Sequence, residues 1–344
     1  MFSETTRSQF RKFRSHRRAW WSFWILTITF VLSLFSEHLA NDRPLLLRFE
    51  GRTYFPTLRF YPWEEFGGPF KTEAKYQVLR EDPNFIARGG WMLLPPIPHN
   101  PLHPNLDLAG TPPHRPSSKH WLGTDEAARD VAARLLYGYR ICMLFALTLT
   151  VAAAFFGVLI GGLQGYFGGK VDLLTQRLVE IWSSLPLLYV AILIGSIYGQ
   201  GFGTLLFVLA LFFWISISYY RRGEFLRLRD MQYVWAARSL GAGHFRIFWR
   251  EILPNALTPL ITLLPFKIVA GISALTALDF LGFGLPPQTP SWGELLKQGL
   301  DNYLNAPWLA ISAVLALFLT LLLASFVGEG AREAFDPKSK SQLR

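Results

Sequence analysis

The sequence predicts an all-α membrane protein with six transmembrane helices, and three observations lead there. Two long stretches contain no Asp, Glu, Lys or Arg: the 40 residues Ile181–Tyr220 and the 29 residues Ile141–Gly169. A helix crosses a bilayer with about 20 apolar residues, so these stretches alone hold three spans. The 344-residue chain is 51% hydrophobic and 17% charged, against about 25% charged residues in soluble domains. Its mean hydropathy is +0.25. Finally, its 34 Lys+Arg and 24 Asp+Glu sort by loop, as a membrane imposes. No basic face suggests nucleic acid as a partner. A soluble enzyme is excluded.

The first span, about Ala19–Ser36, follows Arg7, Arg11, Lys12, Arg14, Arg17 and Arg18. The residues after it, Glu37-His-Leu-Ala-Asn, lack a small-x-small cleavage site, so an uncleaved anchor is expected rather than a signal peptide. The second span is about Ile141–Leu163. The 40-residue stretch is twice a bilayer's thickness as one helix. Gly199-Gln-Gly-Phe-Gly203 divides it into Ile181–Tyr198 and Phe202–Tyr220. The fifth span is about Ala256–Leu278 and the sixth about Pro307–Val327.

Loop charge sets the orientation. With the amino terminus inside, the inner pieces 1–18, 164–180, 221–255 and 328–344 carry 19 basic residues, and the short outer loops 199–201 and 279–306 carry one, Lys297. Both termini are therefore expected in the cytoplasm. The chain divides into a basic tail with the first helix (1–36), an outside loop or small subdomain (37–140), a five-helix core (141–327) and a cytoplasmic tail (328–344). The outside stretch is neutral, with 13 basic and 12 acidic residues, and holds 13 of the 22 prolines. Extended loop with short strands is expected. Four of its histidines, His99, His103, His114 and His120, are expected as exposed loop residues, with no metal bound. The single cysteine, Cys142, opens an apolar segment and reads as an inert buried thiol.

Reaction chemistry is missing from the sequence. Gly165-Tyr-Phe-Gly-Gly-Lys170 approaches a phosphate loop but lacks the earlier glycine, and Val171 stands where Ser or Thr would hold magnesium. Neither Gly201-Phe-Gly203 nor Gly282-Phe-Gly284 completes a dinucleotide motif, and no HExxH is present. The chain is expected to be non-catalytic and to bind no cofactor itself.

The cytoplasmic loop 221–255 carries the most mechanism. Phe225, Leu228, Tyr233, Ala236, Ala237 and Leu240 recur at helical spacing, and Phe245, Phe248 and Ile252 follow after Gly241-Ala-Gly243. Two short amphipathic surface helices are expected, joined at the glycine break and stopped by Pro254. Trp235-Ala236-Ala237, then Gly241, then Leu253-Pro254 resembles the EAA loop of ABC importer permeases. Trp235 stands at that motif's usual glutamate.

Further segments extend the resemblance to the dipeptide and oligopeptide permeases. His120-Trp-Leu-Gly-Thr-Asp125 with Arg129-Asp130 and Tyr137-Gly-Tyr-Arg140 is similar to their LGTDxxGRD…GxR block, with Ala128 at a usual glycine. Gly165 to Asp172, Leu278-Asp-Phe-Leu-Gly-Phe-Gly284 and Pro290-Ser-Trp-Gly-Glu294 also match. The resemblance covers about residues 120–337. The outside stretch, with Asn41–Pro56 and Phe66–Pro69, is similar to one branch, the C-type permeases of Yej importers, which take up microcin C and other peptides. The resemblance implies a type I importer permease fold in a bacterial inner membrane, the outside stretch being periplasmic. It further implies a B-type permease as heterodimer partner, two cytoplasmic ATPase domains carrying ATP and Mg, and a periplasmic or lipid-anchored peptide-binding protein.

Two features stand apart from the motifs. Ala153, Gly157, Gly161 and Gly165 repeat every four residues, a small-residue stripe against which another helix can pack closely. Lys267 is the one charge inside a span, about 16 Å from its start at Ala256. It is expected to line the translocation path or a permease–permease interface and to favour carboxylate-bearing cargo. Asp279, just past that span, reads as a solvated end residue. Asp125, Arg129 and Asp130 are expected at the outer mouth, pinning a loop or touching the binding protein. A secondary carrier or channel and a membrane-anchored scaffold are the alternatives from other classes.

Overall fold

The computed structural model describes residues 4–105 and 108–335. Helices α1 (Glu4–Ser15), α2 (Arg17–Leu34) and α3 (Ser36–Leu39) lead into strands β1 (Leu46–Phe49) and β2 (Arg52–Tyr54). Short helices α4 (Tyr76–Glu81) and α5 (Pro83–Ala87) precede strand β3 (Trp91–Leu93). Then follow α6 (Val131–Phe167), α7 (Gly169–Ser183), α8 (Leu187–Tyr198), α9 (Phe202–Leu228), α10 (Gln232–Ser239) and α11 (His244–Arg246). A π-helical segment (Ile247–Ile252) continues into α12 (Leu253–Ile261), and α13 (Leu264–Phe280), α14 (Trp292–Asp301) and α15 (Pro307–Phe335) complete the described chain. Of the tail expected at 328–344, residues 336–344 lie outside the described residues.

Helices α6, α9 and α15 are each long and apolar enough to cross a membrane, and two bent helix pairs raise the number to five. The 18-residue α2, which opens on Arg17-Arg18, is the remaining apolar helix. Two spans expected as continuous are broken. Helices α7 and α8 meet at 72°, and the helix through His244–Ile261 meets α13 at 59°. Proline explains both breaks. Pro186 is the N-cap of α8, and Pro265 sits in the first turn of α13. Without an N–H, and with a ring that crowds the preceding turn, proline begins a helix more readily than it continues one.

The chain forms two compact units. The first draws on Met1–Thr27, Cys142–Pro286 and Leu317–Arg344. In it the glycine stripe of α6 lies directly on the backbone of α9. A Cβ on Gly161 would fall 2.3 Å from the Ser218 carbonyl oxygen, one on Gly165 2.4 Å from that of Arg222, and one on Gly157 2.9 Å from that of Trp214. Gly168 and Gly169 adopt φ of +64° and +54° and turn the chain from α6 into α7, so the glycines of the near phosphate loop build a corner.

The second unit draws on Ile28–Ile141 and Pro287–Ala316. Its three strands form an antiparallel sheet in the order β2-β1-β3. The β1–β2 turn is Glu50-Gly51, both at positive φ, as a two-residue hairpin of matching twist requires. Leu47, Phe49, Phe66, Ala74, Tyr76, Leu79 and Phe85 form a small core of their own, with the Phe49 and Phe85 rings stacked at 5.3 Å. The expectation of exposed histidines is corrected at two positions. His99 and His120 are buried, 7% and 3% exposed, and their rings stack at 4.1 Å. They lie 21 positions apart across a proline-rich stretch, so no helical or strand period could show the pairing.

Candidate functional site

The loop after α9 is two-faced. Leu240 is the C-cap of α10, and Gly241 takes φ +82°. The Gly241 N–H donates to the Arg238 carbonyl and that of Ala242 to Ala237, the paired closure of a Schellman turn. A Cβ at Gly241 would meet nothing within 4 Å, so glycine is required there by backbone angle and not by space. The chain then runs through α11, the π segment and α12. Pro254, expected to stop the helix, instead sits in the first turn of α12. The preceding turn is widened, with the Leu253 N–H reaching back to the Phe248 carbonyl, and a widened turn relieves the carbonyl that proline cannot serve.

One face of this assembly is a core. Tyr166, Phe225, Leu228, Val234, Ile247, Phe248, Ile252 and Ala256 are buried together, tying the loop to the ends of α6 and α9. Polar contacts reinforce the root. The Tyr166 hydroxyl lies 2.8 Å from His244 Nδ1. Arg222 grips Asp172 through two bonds, Nε to Oδ1 at 2.5 Å and Nη2 to Oδ2 at 2.7 Å. Buried Arg221 donates to the Ala256 carbonyl. The other face is open: Trp235, Ala236, Gly241 and Pro254 are exposed, and Ala237 and Leu253 are half-buried. Leu240 is 88% and Phe245 78% exposed. Arg238 lies over the Trp235 ring at 5.4 Å. This face can bind an apolar cleft rimmed by acidic groups.

The root was only partly legible. Asp172 lies within a matched segment, but nothing in the spacing pairs it with Arg222 fifty positions later. The same holds for Tyr166 and His244.

Lys267 lies on α13 just after the bend, and its ammonium donates to the Ser216 hydroxyl of α9. The rise from Ala256 assumed an unbroken helix, whereas α12 ends at Ile261 and α13 begins at Leu264. Asp279 is corrected from a solvated end residue to a buried corner, 4% exposed. Its Oδ1 accepts from the Leu285 N–H at 2.6 Å. A Cβ on Gly284 would fall 1.8 Å from that oxygen, so the glycine admits the carboxylate.

In the second unit, Asp125 is fully buried and accepts from Arg129 Nε at 2.8 Å and from the N–H groups of Ala127 and Arg129 at 3.0 and 2.9 Å. Buried Arg134 lies 3.3 Å away. Asp130 Oδ1 accepts from the Ala133 N–H at 2.8 Å and so caps α6. These carboxylates therefore pin the loop. Ala128 stands at φ +58°, which is why glycine suits the position. Ser291 caps α14 by accepting from Gly293 and Glu294, and the Trp292 indole donates to the Leu135 carbonyl at 3.1 Å. Burial works to raise the Glu37 carboxyl, but the Arg140 guanidinium at 2.8 Å outweighs it and holds the group below its ordinary value.

Comparison with known proteins fits this architecture. The profile of the family described as "binding-protein-dependent transport system inner membrane component" matches residues 137–341. The inner membrane ABC transporter permease protein YejE of Escherichia coli is 46% identical, over 97% of this chain and 98% of its own length. The peptidoglycan transport system permease protein YejE of Agrobacterium fabrum is 43% identical, over 98% and 94%. The dipeptide transport system permease protein DppC of Bacillus subtilis is 34% identical, over 70% and 75%. This chain belongs to the family of binding-protein-dependent transport system inner membrane components and has their type I importer permease fold.

Proposed function

We propose that this chain is the permease subunit of an ATP-driven importer of short peptides, microcin C-like peptides among them, and that its open loop face receives the partner ATPase. One observation carries the docking reading. The exposed apolar residues Leu240 and Phe245 flank Gly241 on a loop whose opposite side is fully packed. An apolar face held rigid from behind is suited to transmit force. Because the loop core includes Tyr166 of α6 and Phe225 of α9, a push on Leu240 moves those helix ends with it.

The relatives' descriptions as dipeptide and peptidoglycan transport permeases support the cargo class. In this reading the chain binds no cofactor, and ATP and Mg reside on two cytoplasmic ATPase domains. A B-type permease completes the path, a periplasmic or lipid-anchored binding protein delivers the peptide, and both termini lie in the cytoplasm. Lys267 lines the path or the permease interface and attracts the cargo carboxylate. Asp125, Arg129 and Asp130 shape the periplasmic mouth.

Affinity purification tests the docking. The ATPase is expected to come down with the native chain and to be lost from a Leu240→Ser, Phe245→Ser double variant that still inserts. Retention of the ATPase by that variant, or crosslinks from residues 235–254 that find only lipid, would overturn the reading.

A further inference from the structure

Nothing in the transport reading uses the stacked histidines of the second unit. We propose that His99 and His120, backed by Asp130, form a binding site for one divalent transition-metal ion of the zinc class.

Hydrogen bonding fixes which nitrogen of each ring is bare. His99 Nε2 lies 3.0 Å from the Lys119 carbonyl, and a carbonyl only accepts. The ring proton therefore sits on Nε2, and Nδ1 presents a lone pair. Among the described residues that buried Nδ1 makes no hydrogen bond of ordinary geometry, and the Asn105 side chain lies close by. A buried polar atom left without a hydrogen bond costs about 1–3 kcal/mol. His120 Nδ1 lies 2.8 Å from Asp130 Oδ2, and a carboxylate takes that proton, so His120 Nε2 is the second bare nitrogen. A carbonyl or carboxylate behind each imidazole is the support that metal-binding histidines have, since it sets the tautomer and the ring direction.

Spacing brings the three groups together: one ligand atom from each of His99, His120 and Asp130 lies within 4.8 Å of the others. Zinc–nitrogen bonds of about 2.0–2.1 Å place two ligand nitrogens roughly 3.4 Å apart, so the stacked rings must turn toward a shared ion as it binds. A cavity of about 370 Å³ opens on His99 and Asp130, and another of about 580 Å³ opens on His99 and His120. Glu81 lines both. Water or that carboxylate can complete the coordination. The nitrogen-rich, thiolate-free donor set favours zinc, copper or nickel over calcium or magnesium. Bound there, the ion would staple the segment around His99 to the residues that cap α6.

The test uses the full-length chain in its purified membrane assembly, stripped with a chelator and titrated with zinc chloride against a chromophoric competitor. One zinc per chain is expected, with X-ray absorption showing imidazole nitrogens in the first shell. His99→Gln is expected to weaken binding by about 100-fold or more, by analogy with the loss on removing a supporting partner. His103→Gln, at an exposed histidine paired with Asp42, is expected to bind as the native chain does. Zinc uptake unchanged by His99→Gln, or lost equally with His103→Gln, would overturn the site. An all-oxygen shell around zinc in the native chain would overturn it whether or not the variants fold.

Discussion

Replacing Gly161 by alanine tests the close approach of α6 to the α9 backbone in the first unit. The added Cβ would lie 2.3 Å from the Ser218 carbonyl oxygen and 2.8 Å from Ser218 Cα, where ordinary contact begins at 3.4 Å. The obstacle is backbone, so no side chain can swing away, and α6 and α9 must part by about 1 Å. Overpacking of this kind costs about 1–3 kcal/mol. Alanine returns about 1 kcal/mol over glycine in a helix interior, which leaves a net loss of up to about 2 kcal/mol. Gly195, within α8, is the control, since a Cβ there meets nothing within 4 Å. Gly195→Ala is therefore expected to gain up to about 1 kcal/mol. Reversible unfolding in mixed micelles, followed by tryptophan fluorescence, reads both changes. A gain for Gly161→Ala as large as that for Gly195→Ala would refute the backbone-contact reasoning. A loss at Gly195 as large as that at Gly161 would refute it as well.

Three further outcomes are expected. Gly241→Pro forces φ near −65° on a position at +82°, so the chain should insert normally yet fail to couple ATP hydrolysis to uptake; Gly241→Ala, strained by about 1–2 kcal/mol, should keep coupling at a lower melting temperature, and both are read by paired ATPase and uptake assays in proteoliposomes. Lys267→Met should shift uptake away from carboxylate-bearing peptides toward amidated ones, measured by competition, and an unchanged preference together with unchanged assembly would remove Lys267 from the path and the interface. Ala128→Gly relieves a left-handed alanine at φ +58° and should stabilise the second unit by up to about 1 kcal/mol, seen as slower amide exchange around residues 123–131.

Charge-free runs marked α6, α8, α9 and α15, and a run broken by Lys267 marked α13, because a bilayer penalises charge regardless of neighbours. The same window missed both breaks, since hydropathy averages over Pro186 and Pro265 while backbone geometry does not. Pro254 misled in the other direction. A proline reads as a stop unless the preceding turn widens, and that depends on how Phe248 and Ile252 pack in the loop core. His99 and His120 escaped for a simpler reason: their pairing comes from folded loops, which carry no period. Asp279 could have been read from Gly284, because a glycine five positions past a helix-end carboxylate leaves room for the chain to fold back on it.

The matched motifs divide by what the fold demands of them. Asp125, Asp172, Asp279 and Ser291 each occupy a chain corner or helix end, and each is buried and bonded there. Their chemistry is spent on neighbouring N–H groups and guanidinium groups, so these segments explain how the chain turns and need no ligand. The stretch from Trp235 to Phe245 is different. Val234 and the Gly241 turn serve the fold, but Leu240 and Phe245 stay largely exposed, Phe245 with its ring beside that of Trp249, and water penalises such large apolar side chains by roughly 1.5–3 kcal/mol each relative to burial. A corner motif keeps its residues for internal reasons, whereas this face has a physical reason for its composition only when another surface covers it. The loop is therefore the place where the chain's chemistry points outward, and removing Leu240 and Phe245 should change assembly with the ATPase while leaving the fold intact.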